Sequence, residues 1–154
     1  MNQIERKAKL AAADISSVHI PRPDDQLHTY SDYSEDGRAV GGRLEIIRNI
    51  NGEKITLLGG YFSVVLDKFK QHWAPCEAEA AGVRLVLLHF EPFIRDSQNT
   101  TIHFTDNRPT VQAWKRLIQG KFSSSSRISI FLINLSSMSV EVRYKPGKLM
   151  ASTD

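Results

Sequence analysis

Apolar and polar positions alternate with a strand's period early in the chain and with a helix's period later. His28 to Ser34 reads as a first strand, closed by the turn residues Ser34-Glu35-Asp36-Gly37. Gly42 to Arg48 reads as a second, with Leu44 and Ile46 alternating against Arg43 and Glu45. Asn51-Gly52 is a hairpin signal, because both residue types tolerate the positive φ of a tight turn. Ile55 to Leu66 follows as a third strand, and Gly59-Gly60 within it predicts a bulge or a close backbone approach. Three strands in succession predict an antiparallel meander.

The period then changes. Glu77 to Ile94 puts Val83, Val86, Leu87 and Phe90 on one helical face, and Ala78, Ala80 and Ala81 favour the helix. Thr101 to Thr105 is a short strand. Pro109 to Gln119 is a helix with proline in its first turn, Gly120 past its end, and Val111, Trp114 and Ile118 as its apolar stripe. Ser123 to Ser126 reads as a loop. Ile128 to Leu135 reads as a helix, because Ile128, Phe131, Leu132 and Leu135 share a face. Val140, Val142 and Tyr144 alternate with Glu141 and Arg143 in a last strand that Lys145-Pro146-Gly147 ends. The order β-β-β-α-β-α-α-β predicts an α/β fold, a mixed five-stranded sheet of a meander plus parallel strands, flanked by helices.

Residues 1–14 read as a short helix, and Pro21-Arg22-Pro23-Asp24-Asp25 as a stiff polar joint. We therefore expect an N-terminal segment over 1–26 and the domain proper over 27–154. A chain of 154 residues can bury a core without staples, and a hydrophobic share of 41% with 24% charged residues excludes wholesale disorder, collagen and coiled coil. No apolar run approaches a membrane span, and the charged first residues do not read as a signal peptide. The single cysteine, Cys76, excludes an intrachain disulfide and a cysteine-based zinc site, and is read as packing. An intracellular location is the expectation. The net charge of +3 is unevenly spread, since residues 101–154 carry 8 Lys/Arg against 3 Asp/Glu. A basic third on a small domain invites a nucleic-acid partner, though from charge alone a solvated face is the favoured reading.

Three acids stand where an unpaired charge is costly. Asp32 lies in the first strand on the face of Tyr30 and Ser34. Asp106 ends the fourth strand on the face of Ile102 and Phe104. Glu79 lies in the first turn of the long helix, on the stripe of Val83, Val86 and Phe90 that must face the sheet, whereas Glu77 lies over Ala81 and Arg84. Each has a plain structural alternative: Asp32 in the following turn, Asp106 as a helix cap, Glu79 as a charge favouring a helix N-terminus. Together they suggest carboxylates converging on a hard cation, as metal-dependent phosphodiester chemistry requires.

The residues then resemble a family. Tyr30-Ser31-Asp32-Tyr33-Ser34 with Gly41-Gly42 resembles the first strand of a retroelement ribonuclease H domain. Gly60-Tyr61-Phe62-Ser63, followed by Trp73-Ala74-Pro75-Cys76-Glu77-Ala78-Glu79-Ala80, is similar to the third strand and helix entry in gypsy-class LTR retrotransposons. Thr105-Asp106-Asn107-Arg108-Pro109 resembles the fourth strand and its turn, and Tyr144-Lys145-Pro146-Gly147 with Asp154 resembles the closing motif. The resemblance runs collinearly over residues 20–154. It implies a ribonuclease H-like fold in a retrovirus-like Pol polyprotein, with 1–26 joining it to the connection region of an upstream reverse-transcriptase polymerase domain.

It also implies a ribonuclease H cleaving the RNA strand of an RNA/DNA hybrid with two Mg²⁺ ions, Mn²⁺ being able to substitute. Asp32, Glu79, Asp106 and Asp154 would be the catalytic, metal-binding acids. Asn107 and Arg108 would contact the hybrid's backbone, with helix capping as the alternative for that turn, and Lys115, Arg116 and Lys121 are candidate phosphate contacts. His72, His89 and His103 are read as structural, and Trp73 and Trp114 as core. The family continues into a final helix past the position of Asp154, and no histidine lies in a loop near that acid. The competing reading is a non-catalytic ribonuclease H-like scaffold or connection module of a Pol polyprotein.

Overall fold

The computed structural model describes residues 17–36, 38–66, 74–121 and 126–147. The expected N-terminal helix, His72, Trp73, most of the Ser123–Ser126 run and Asp154 lie outside them. Strands β1 (Gln26–Ser34), β2 (Ala39–Ile50) and β3 (Glu53–Val65) form the meander, followed by helices α1 (Pro75–His89) and α2 (Glu91–Asp96). Strand β4 (Thr101–Thr105), helices α3 (Arg108–Ile118) and α4 (Ser126–Ile133), a 3₁₀ turn (Asn134–Ser137) and β5 (Val140–Tyr144) complete the order. The sheet runs β3-β2-β1-β4-β5, antiparallel through the meander and parallel from β1 to β4 to β5.

Local chemistry accounts for the elements. Asn51 and Gly52 both take positive φ, 53° and 85°, which lets the β2–β3 hairpin turn in two residues. The β2–β3 register shifts between Leu44 and Glu45, opposite the Gly59-Gly60 pair, so the expected bulge is there. The single long helix expected over 77–94 is instead two. Phe90 leaves helical geometry at φ −99° and ψ 11°, and Pro92 sits in the first turn of α2, where its missing N–H does no harm. The stripe expected on α3 is also different: Val111, Ala113 and Trp114 are buried, but Ile118 is 60% exposed in the last turn.

The core fills one face of the sheet. Leu27, Val40, Leu44 and Ile46 pack with Val83, Val86 and Leu87 of α1, Val111 and Trp114 of α3, Leu132 of α4, and Val140 and Val142 of β5. The opposite face carries Tyr30 stacked on Phe104 at 5.1 Å, with the Arg43 guanidinium 3.9 Å from the Tyr30 ring. The segment before β1 is tied down. Asp25, almost fully buried, pairs twice with Arg48 at 2.9 and 3.0 Å and accepts the Arg22 N–H at 2.7 Å. Burial pushes the Asp25 carboxyl up, but these donors outweigh it and hold it below the usual range.

Helix α1 lies close on the sheet because Gly42 has no side chain. A Cβ there would collide with the Val86 side chain and stand 2.9 Å from the Tyr30 carbonyl oxygen. Gly42→Ala is expected to destabilise the domain by about 1–3 kcal/mol, measured as a lower urea midpoint with unchanged slope.

Candidate metal centre

The topology brings three acids to one point. Alternation along β1 sends Asp32 off the Tyr30 face, and Asp106 follows β4 on the Phe104 face, with Tyr30 and Phe104 paired across the two strands. Glu79 reaches them from the second turn of α1. One carboxylate oxygen from each of Asp32, Glu79 and Asp106 lies within 4.8 Å of the others. Among the described residues no other group of three potential ligands converges in this way.

The electrostatics match the geometry. Burial, then the nearby charges of Asp106 and Asp32, raises the Glu79 pKa to about 8, against a lowering contribution from the Tyr33 backbone N–H. Glu79 Oε2 is shut off from solvent and has no hydrogen-bond partner. A buried carboxylate oxygen without a donor is costly, and a cation would satisfy it. The donor set is all oxygen, which suits a hard ion such as Mg²⁺ or Mn²⁺. These residues therefore fit a divalent cation.

The rest of the site is built around that cluster. Glu77 turns back and accepts the Ala74 N–H at 3.0 Å, closing the start of α1, so Glu79 and not Glu77 joins the cluster. Asn107 caps α3, its Oδ1 accepting the Thr110 N–H at 3.0 Å and the Thr110 hydroxyl at 2.7 Å. Arg108 is exposed and lies 4.2 Å from the Tyr144 ring centroid. Lys115 and Arg116 are exposed in the last turn of α3, about 10 Å along the helix axis from Arg108, and Lys121 is exposed just beyond the helix. Trp114 is core, as expected, and Cys76 packs against the core's edge. His89 is exposed, its ring tilted by 42° against that of Phe62 at 4.7 Å.

Two contributors escaped the reading of the sequence. A Cβ on Gly147 would stand 2.7 Å from Asp106 Oδ2, so the glycine of the Lys145-Pro146-Gly147 turn backs that carboxylate. Tyr33 supplies its backbone N–H to Glu79, a contribution no side-chain pattern announces.

No family model matches the sequence, and no curated protein does. Solved structures do match. The foamy viral protease-reverse transcriptase in complex with dsDNA is similar at a TM-score of 0.61 and 12% identity, over 94% of this chain and 30% of that one. Its dRH form, also in complex with dsDNA, is similar at a TM-score of 0.60 and 11% identity, over 94% of this chain and 26% of that one. The likeness is one of fold, and this chain spans less than a third of those proteins' length. The fold is thus ribonuclease H-like. No helix among the described residues is long and apolar enough to cross a membrane.

Two measurements test the cluster. Glu79 is protonated in the metal-free fold up to about pH 8 but ionised above its ordinary 4.5 when unfolded, so stability falls as pH rises between those values. His103, whose complete burial lowers its pKa to about 3 from 6.5, stays neutral when folded but charges when unfolded, so stability falls as pH drops below 6.5. The two slopes oppose each other between pH 4.5 and 6.5, and metal-free thermal melts should show a broad maximum there. Divalent cation displaces the Glu79 proton, so the fall above 6.5 should vanish when Mn²⁺ is present. Second, Gly147→Ala should weaken Mn²⁺ binding about tenfold by calorimetry, because the added methyl presses on Asp106.

Proposed function

We propose that this chain is the ribonuclease H domain of a retrovirus-like Pol polyprotein, of the gypsy class of LTR elements. It would act inside the cell beside a reverse-transcriptase polymerase domain, hydrolysing the RNA strand of RNA/DNA hybrids to 5′-phosphate and 3′-hydroxyl ends. The observation that carries this reading is the convergence of Asp32, Glu79 and Asp106 within 4.8 Å, with Glu79 Oε2 buried and unpartnered. The ribonuclease H-like fold supports it.

In this reading Asp32, Glu79, Asp106 and Asp154 would hold two Mg²⁺ ions. Divalent cations so held supply Lewis acidity, which activates a water and offsets the charge that develops on a phosphodiester. The chain's own groups do the remaining work. Glu79 gives up its proton when the site fills. Gly147 leaves room for the Asp106 carboxylate at its back, and Asp106 stands just before α3, which Asn107 caps. Arg108, lying against the Tyr144 ring, presents a positive group two residues from Asp106, and Lys115 and Arg116 extend positive charge down the same helix. Asn107 uses its side-chain oxygen for the cap, so its amide nitrogen would be the group that donates to the hybrid's backbone.

The test is cleavage of a hybrid labelled on either strand, with Mg²⁺ or Mn²⁺, by this chain and by one extended past Asp154. Asp106→Asn should lower the rate of RNA-strand cleavage by at least about 10³-fold, and EDTA should abolish it. Cleavage by the extended chain alone would assign the fourth acid's support to the following residues. No cleavage by either folded, metal-titrated protein would favour the non-catalytic scaffold.

A further inference from the structure

The ion site is held by strand ends, and the ladder between those strands stops short of it. The parallel register of β1 and β4 pairs His28 with Ile102, Thr29 with His103 and Tyr30 with Phe104. Asp32 and Asp106 lie beyond the last of these pairs, and their like charges push the two strand ends apart. The His103 side chain ties the strands at this end. His103, with no exposed surface, points into the core face of the sheet; its Nδ1 is 2.7 Å from Thr29 Oγ1 and its Nε2 is 2.8 Å from Ser31 Oγ. Thr29 and Ser31 are themselves buried. Both ring nitrogens are therefore satisfied without water. A neutral imidazole offers one donor and one acceptor, so one hydroxyl receives a hydrogen bond and the other gives one.

The two bonds are not equivalent. Thr29 is His103's own register partner, where the backbone ladder already fixes the spacing. Ser31 lies one residue past the end of the ladder and one residue before Asp32. An apolar residue at position 103 would fill the same space but would not tie Ser31 to β4.

We propose that His103 is a positioning residue for the metal centre, its bond to Ser31 holding the end of β1 against β4 at the separation where Asp32, Glu79 and Asp106 share a cation. This inference rests on the metal-site reading above and goes beyond it, because His103, Thr29 and Ser31 are not among the carboxylates that would hold the ion. A positioning tie acts through the geometry of the ligands, so it should register in ion affinity and not only in stability.

The experiment titrates the full chain with Mn²⁺ alone by calorimetry, for the wild type, Ser31→Ala and Thr29→Val, each confirmed folded by its amide spectrum. Both variants remove one hydroxyl from the same imidazole, so both lower the melting temperature. Ser31→Ala should weaken Mn²⁺ about tenfold or more, while Thr29→Val keeps the wild-type affinity. Equal affinities in all three proteins, or equal losses in both variants, would overturn the inference and leave His103 a core residue. Should Ser31→Ala not fold, Ser31→Cys, which keeps the volume but bonds weakly, is titrated in its place with the same criteria. A wild type that takes up no Mn²⁺ refutes the metal-site reading itself, and the positioning role falls with it. A wild type that binds while Ser31→Ala binds as well refutes the positioning role alone.

Discussion

Three carboxylates that repel one another are held within 4.8 Å, and much of the architecture serves to keep them there. At an effective dielectric near 20, each charged pair at this spacing costs up to about 3 kcal/mol, and less where Asp32 meets solvent. Without a cation the protein relieves the cluster by keeping a proton on Glu79, whose burial already disfavours its charge. The same repulsion that loads Glu79 with a proton makes the cluster receptive to a divalent ion, because the ion removes both the mutual repulsion and the burial cost at one stroke. The site and its instability are one feature.

The opposing constraints come from every level of the fold. Parallel pairing of β1 with β4 sets two strand ends side by side, which is where ligands gather in open α/β sheets. Close approach of α1 over Gly42 brings Glu79 down to those ends. The turn after β5 returns Gly147 to the back of Asp106, and the Lys145 N–H bonds the Thr105 carbonyl at 2.9 Å to keep β5 beside β4 at that point. At the other end of β1, the Asp25–Arg48 pair fixes the chain before it enters the sheet. A buried pair of this kind adds little net stability by itself, but losing one partner would leave a charge stranded in the interior.

The sequence was most informative where a local rule decides the structure. Asn51-Gly52, the alternation in β2, and the strands at 101–105 and 140–144 follow from residue type and period alone. Pro92 also breaks the helix by a local rule, but the apolar stripe running through Phe90 argues for continuity and masks it. Ile118 shows the limit of periodicity, since helical spacing places a residue on a face without saying whether the core extends to that turn. The pairing of the three acids was readable because strand alternation and helix facing each constrain one of them. The tie from His103 to Ser31 was not, because it depends on the register between strands some seventy residues apart. Its trace was nonetheless present: Thr29, Ser31 and His103 are polar residues at inward-facing positions, where side chains without partners are expensive.

The charge distribution gives the centre a direction of use. An acidic cluster repels a polyanion, yet the basic residues begin at Arg108, two positions from Asp106, and continue through Lys115, Arg116 and Lys121. Of the basic residues in the last third of the chain, Arg143 pairs with Glu141 at 2.8 Å on the exposed edge strand. Arg108, Lys115 and Arg116 lie on α3, whose first residue comes two positions after Asp106. A polyanion approaching the start of α3 meets the field of the three acids, which weakens when a divalent ion fills them. With the cluster empty, attraction along α3 is opposed at its N-terminal end; a divalent ion, replacing the Glu79 proton, weakens that opposition without reversing it. In the proposed reaction, ion binding would therefore lower the electrostatic cost of bringing a hybrid to Arg108.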